Sequence, residues 1–198
     1  MGKIFYLMGK SASGKDSIYK GLKERLPELK TVTLYTTRPN RGGEREGEVY
    51  YFVNEECLEN FQREGKVIEM RAYDTVCGVW KYFTVDDGQF DQEQADYLMI
   101  GTLESYEKMQ KYFGRERLIP LYIEVEDGER LQRALVRERS QMAPRYAEMC
   151  RRFLADTIDF SEENLLRLGI EERFENVTYE ETLRKISEII RRERKNLV

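Results

Sequence analysis

Ile4-Phe5-Tyr6-Leu7-Met8-Gly9-Lys10-Ser11-Ala12-Ser13-Gly14-Lys15-Asp16 runs from an apolar strand into a loop bounded by glycines. The loop follows G-x-x-x-x-G-K-[ST] at every position but the last, where Asp16 stands in place of Ser or Thr. Glycines let the backbone curl until successive N–H groups point inward, and the helix that follows adds its positive N-terminus. Such a nest holds a nucleotide's polyphosphate. Gly9, Ser11, Ala12, Ser13 and Gly14 line it, Lys15 reaches the outer phosphates, and Asp16 and Ser17 open the helix. Ile18, Leu22 and Leu26 recur on one helical face and Pro27 ends the run. Strand, loop and helix in that order predict a nucleotide-binding α/β core.

Composition narrows the chemistry. The 198 residues suffice for one sizeable core with small inserted lobes. Charged residues make up 35% and hydrophobic ones 40%, so much of the chain is helix surface or wet cleft lining. A net charge of −4 gives no bulk attraction to nucleic acid or to an anionic membrane. The basic tail Arg191-Arg192-Glu193-Arg194-Lys195 reads as cations at a helix C-terminus. No run of about 18 apolar residues is present, and residues 1–8 read as a buried strand rather than a signal peptide. Cys57, Cys77 and Cys150 are odd in number and widely spaced, which suits a reducing cytoplasm. Histidine is absent, which removes His-based acid–base catalysis and Ser-His triads. Phosphoryl transfer survives, because it runs on positioning and charge neutralisation by Lys, Arg and Mg²⁺.

Along the chain, strands are expected at residues 3–8, 29–36, 50–53, 67–73, 80–85, 97–100, 118–125 and 174–177. Helices are expected at 15–26, 54–64, 103–113, 127–155 with a break near Pro144, 162–168 and 179–195. Strand and helix alternate at both ends, so the core is a parallel sheet, and the strand-rich stretch at 35–90 is an inserted lobe.

The acceptor of a phosphoryl group is suggested by Thr36-Thr37-Arg38-Pro39-Asn40-Arg41-Gly42-Gly43-Glu44-Arg45-Glu46-Gly47-Glu48-Val49-Tyr50-Tyr51-Phe52-Val53. Two guanidinium forks on one loop, followed by strand tyrosines, can clamp a phosphate monoester through bidentate hydrogen bonds. This segment resembles the acceptor-phosphate segment of the guanylate kinase family, T-T-R-x-P-R-x-G-E-x-x-G-x-x-Y-x-F. Both threonines, both arginines, Gly43, Glu44, Gly47, Tyr50 and Phe52 keep their spacing, and only the proline is displaced, to position 39.

The resemblance implies a fold: a three-layer P-loop kinase core at about 1–34, 91–125 and 157–198, with an inserted mixed α/β monophosphate-binding lobe at about 35–90 and a helical lid at about 126–156. It also implies roles. Arg38, Arg41 and Tyr50 hold the acceptor phosphate, Glu44 belongs to the same GMP site, and Glu69 accepts from the guanine N–H edge. Arg133 and Arg137, four apart on one helix, are lid arginines, and Arg152 approaches the transferring group. Asn176 lies near the adenine side. With Lys15, Arg38, Arg137 and Arg152 acting on the reacting phosphates, the implied activity is ATP + GMP ⇌ ADP + GDP. It would be Mg²⁺-dependent and cytoplasmic, in a monomer or dimer with neither nucleic acid nor membrane as partner. Two alternatives stay open: a related kinase with another monophosphate acceptor, and an inactive module that binds a phosphorylated protein.

The departures fall on metal and base. Asp16 takes the position of the hydroxyl that ligates Mg²⁺, and a carboxylate is itself a Mg²⁺ ligand. Leu34 stands where the family offers a serine to the base, a loss of about 1–3 kcal/mol if a base oxygen goes unpaired. Cys77-Gly78-Val79 replaces Tyr-Gly-Thr/Ser, and Leu98-Met99-Ile100-Gly101 lacks both aspartates of the family's strand.

Overall fold

The computed structural model describes residues 2–40, 42–75, 78–90 and 95–195. In chain order the elements begin with β1 (Ile4–Gly9), α1 (Lys15–Arg25), β2 (Lys30–Thr31), β3 (Tyr35–Thr36), β4 (Tyr51–Phe52), α2 (Glu55–Arg63), β5 (Val67–Thr75) and β6 (Gly78–Val85). They continue with β7 (Tyr97–Ile100), α3 (Leu103–Phe113), β8 (Leu118–Glu124), α4 (Asp127–Arg139), α5 (Tyr146–Asp159), α6 (Glu162–Arg167), β9 (Arg173–Glu175) and α7 (Tyr179–Lys195).

The larger sheet is parallel throughout, in the order β2-β7-β1-β8-β9. Its central strand β1 is buried along its whole length because both faces are covered. Ile4, Tyr6 and Met8 enter a core with α3 residues Leu103, Tyr106, Met109 and Phe113 and α6 residue Leu165. Phe5 and Leu7 alternate to the opposite side and meet Ile18 and Leu22 of α1 and Leu183, Ile186 and Ile190 of α7. Three layers result, with the loop after β1 at the C-terminal edge of the strands, where open α/β sheets bind ligands.

The smaller sheet runs β4-β3-β6-β5, with β3–β4 parallel and the remaining pairs antiparallel. Leu58 and Phe61 of α2 cover one of its faces, over Phe83, Val85, Val67 and Met70.

One expectation is corrected. Residues 29–36 do not form one strand but divide into β2 in the large sheet and β3 in the small one. Val32 is drawn into the main core, and at Thr33 both backbone groups turn to a side chain. Gln89 Oε1 accepts from Thr33 N at 2.8 Å, and Gln89 Nε2 donates to Thr33 O at 3.2 Å. A side-chain amide thus takes the bonds a ladder partner would have taken, and the chain crosses between sheets there. The long basic stretch is two helices, α4 and α5, and the second buries none of its residues fully.

Candidate active site

The phosphate loop is held in its curled form by packing as well as by backbone preference. Gly14 has φ +84°, and a Cβ there would come within 2.5 Å of Asn176 Nδ2. A Cβ on Gly9 would meet Ile123 O at 2.6 Å and Ser13 Oγ at 2.8 Å. Both glycines are therefore required for space. Ala12 takes a positive φ of 63° without being glycine, a strained turn of a kind that concentrates at ligand sites. Asn176, one residue past β9, donates Nδ2 to Ser13 O at 2.8 Å, fastening the loop to the sheet's edge. Ser13 Oγ is buried and lacks a hydrogen-bond partner among the described residues. Lys15 is half-buried with Nζ 3.5 Å from the exposed carboxylate of Asp16, and Ser17 is exposed on α1.

An outer ring of side chains, not legible as a set in the sequence, braces this loop from α4 and α5. Arg130 is only 1% exposed, stacked 4.4 Å from the Phe153 ring. Its Nη1 donates to Ser11 O at 3.2 Å and to Asp156 Oδ2 at 3.4 Å, and its Nη2 to Asp127 Oδ1 at 2.9 Å. Asp156 Oδ2 in turn accepts from Ser11 N at 2.6 Å. Arg130 sits one helical turn before Arg133 on an arginine-rich helix, and that spacing was the available signal. Lys10 is half-buried, with Nζ 3.6 Å from Asp127 Oδ1.

Of the lid arginines, Arg133 reaches the loop's surroundings directly, with Nη2 donating to Asn176 O at 3.1 Å and Nε to Glu129 at 2.8 Å. Arg137, a turn further on, is exposed. Arg152 is exposed on α5 with Nε on Glu148 Oε1 at 2.7 Å. Arg151 and Arg152 together pull the Glu148 carboxyl down to about 2, against the opposing effect of partial burial.

A second basic group stands on the small sheet. Thr36 Oγ1 donates to Lys81 O at 2.8 Å and accepts from Arg38 N at 3.2 Å, so the paired threonines pin the loop to β6. Arg38 is 4% exposed and forks onto Glu44 through Nη1 at 2.7 Å and Nη2 at 2.6 Å. The Glu44 hydrogen bonds raise its pKa further, so the guanidinium is a fixed positive charge. It lies 5.2 Å from the Tyr50 ring and 5.1 Å from the Phe52 ring. Burial raises the Tyr50 phenol, leaving it a neutral donor. Arg41 and Cys77 lie outside the described residues.

Glu69 is 3% exposed on the same sheet and is bound by Arg71 and Thr84. Tyr50, Tyr82 and Tyr73 form a chain of edge contacts along this face, with centroids 5.5 and 5.8 Å apart. The aspartate missing at position 101 has a local cause. A Cβ on Gly101 would lie 2.1 Å from the Tyr6 hydroxyl, which is hydrogen-bonded to Ser105 Oγ. Tyr6 has taken the space.

The Lys15 loop thus follows the central strand of the large sheet, and the Arg38–Tyr50 cluster stands by the small one. The sequence model of the guanylate kinase family matches residues 1–78. The guanylate kinase of Nostoc sp. is 34% identical over 103 residues, 52% of this chain and 50% of that protein. That of Legionella pneumophila is 38% identical over 68 residues, 34% of this chain and 32% of that protein. The chain thus spans half or less of the length of these curated relatives. The crystal structure of guanylate kinase from Anaplasma phagocytophilum superposes with a TM-score of 0.62 at 23% identity, covering 97% of this chain and 86% of that one. The chain resembles guanylate kinases in sequence over its first 78 residues, and it shares their fold over nearly its whole length.

Proposed function

We propose that this chain is a nucleoside monophosphate kinase of the guanylate kinase type, transferring the γ-phosphoryl group of ATP to GMP. The observation that carries the reading is the buried Arg38 beside Tyr50, on a different sheet from the Lys15 loop: Glu44 and Pro39 O take Nη1 and one Nη2 hydrogen, and among the described residues Nε and the second Nη2 hydrogen are left for an anion. Two separate anion sites suit two phosphorylated substrates.

Residues 35–90 serve as the monophosphate lobe and 126–156 as the lid. Ser11 N donates to Asp156 Oδ2 and Ser13 N to Lys10 O, so the remaining loop N–H groups, with Lys15, hold the ATP phosphates, and Asn176 and Arg133 lie toward the adenine. Arg38, Arg41 and Tyr50 orient the acceptor phosphate. One of its ionised oxygens attacks the γ-phosphorus as the bond to the β-bridging oxygen breaks, and ADP leaves with that electron pair. No general base is needed, because the attacking oxygen carries no proton to remove. Arg137 and Arg152 neutralise charge when the lid closes. Mg²⁺, when bound, offsets charge on the outer phosphates. The exposed Asp16 carboxylate at the start of α1 is a hard oxygen donor suited to a cation that keeps most of its waters. Free thiols at Cys57 and Cys150 support a cytoplasmic location.

An ADP-release assay with GMP and Mg²⁺ tests the reading. Lys15→Ala is expected to lower kcat by about 10³–10⁵ with an unchanged melting temperature, since the side chain serves a ligand rather than the core. No ADP release with any monophosphate, alongside binding of a phosphopeptide, would turn the reading to the inactive module.

A further inference from the structure

Glu69 and Arg71 project from the same face of β5, paired across the ladder with Thr84 and Tyr82 of β6. Arg71 Nε donates to Glu69 Oε2 at 3.1 Å and Nη2 to Oε1 at 3.3 Å, while Thr84 Oγ1 donates to Oε1 at 2.9 Å. The side chains are 11% and 1% exposed. A carboxylate offers about four acceptor positions, two on each oxygen. Oε1 has both filled and Oε2 keeps one. Arg71 Nη1 donates to nothing among the described residues, and Nη2 has a second N–H to give. The pair therefore presents one anionic acceptor beside a row of cationic donors. Burial works against the Arg71 charge, but the Glu69 carboxylate and the Tyr6 and Tyr73 phenols raise its pKa beyond the ordinary value. Aromatic faces for a ring lie alongside, at Tyr73 and Tyr82.

We infer that Arg71 is a specificity-determining residue, and that with Glu69 it reads a lactam edge, a ring carbonyl beside a ring N–H, on the acceptor base. This rests on the kinase reading above. The ring N–H donates to Glu69 Oε2, and the carbonyl accepts from Arg71. Arg71 thereby supplies the donor that Leu34 cannot. Oxopurines present this edge at O6 and N1–H, and uracil-type pyrimidines present it at O4 and N3–H. Adenine and cytosine place an amino group against the guanidinium and a bare ring nitrogen against the carboxylate, a mismatch at both positions. The guanine 2-amino group would need a second free position on Glu69, and the bond count leaves none. The subsite does not read that group.

Titration calorimetry of the full chain with GMP, IMP, UMP, dTMP, AMP and CMP tests this, with ATP as the control ligand. GMP and IMP are expected to bind within about threefold of each other, and AMP and CMP at least about 30-fold more weakly than the best lactam nucleotide. The purine and pyrimidine arms separate the two sources of the edge, and either in the lead supports the inference. Arg71→Met should lose about 10- to 100-fold in lactam affinity while ATP affinity is unchanged. Arg71→Lys keeps a cation beside Glu69 in case the first variant fails to fold, and it should still lose discrimination against AMP. The inference is overturned by AMP or CMP within threefold of the best lactam nucleotide, by GMP more than tenfold tighter than IMP, or by Arg71 variants with wild-type discrimination. AMP- or CMP-dependent ADP release would overturn the base assignment alone. If no monophosphate binds or stimulates ADP release, the kinase reading falls, and this inference with it.

Discussion

Gly101 shows how one residue's identity is set by another far along the chain. Tyr6, on β1, sends its hydroxyl to Ser105 across the place where a side chain at 101 would begin, and burial raises that phenol's pKa so that it stays neutral. Restoring a carboxylate is therefore not a simple gain. Gly101→Asp is expected to destabilise the fold by about 1–3 kcal/mol, read by urea denaturation, because the new Cβ meets packed atoms. Tyr6→Phe removes the nearest oxygen but leaves the ring carbon at 2.9 Å, so the double variant should recover part of the loss and not all of it. Full additivity of the two substitutions would show that the clash is not the cause.

At the scale of elements, α5 stands apart among the described helices. It buries no residue fully and exposes Leu154 and Ile158, yet it carries both Asp156, which holds the phosphate loop, and Arg152. Glu148 ties down Arg151 and Arg152 on its surface. Its carboxyl lies at about 2, below the ordinary 4.5, so this contribution is complete above pH 4.5 and is lost as pH falls through about 2. The arginines are 64% and 57% exposed, so solvent screening keeps the effect small. Hydrogen exchange in residues 146–159 should be faster in Glu148→Gln than in wild type near neutral pH. The two should converge in strong acid. Identical exchange across the range would remove Glu148 from the account of lid order.

The whole molecule is two sheets joined at crossings, one at residues 32–34. Gln89 clamps it from the second crossing, with bonds to both backbone groups of Thr33 and an Nε2 contact to Asp87 at 3.0 Å. In the kinase proposed above, the two substrates would bind on the two sides of that joint, and its stiffness would control how they meet. Gln89→Ala should cost about 1–2 kcal/mol in stability, from lost hydrogen bonds. It should also raise the acceptor KM more than the ATP KM, since only the acceptor lobe is displaced. Steady-state kinetics with each substrate varied in turn would decide it, and equal changes in both constants would place the joint's role elsewhere. Among the described residues no helix is long and apolar enough to cross a membrane.

Local order was legible wherever a short stretch carries its own instruction. Gly9 through Lys15 specifies a curled loop because the glycines that allow the turn lie within one short segment. Alternating burial of β1 and the helical period of α1 and α7 were equally readable, since each element shows its buried face in its own periodicity. Residues 29–36 were not, because alternation says that a strand exists and not which sheet it joins; Val32 packing and the Gln89 clamp split it. Arg130, Asp156 and the Arg71 partner of Glu69 also stayed hidden. A charged residue's role depends on which opposite charge is brought within about 3 Å. Sequence determined the loop and the layered α/β order; the tertiary structure decided which charges are spent on each other, as Arg38 is on Glu44.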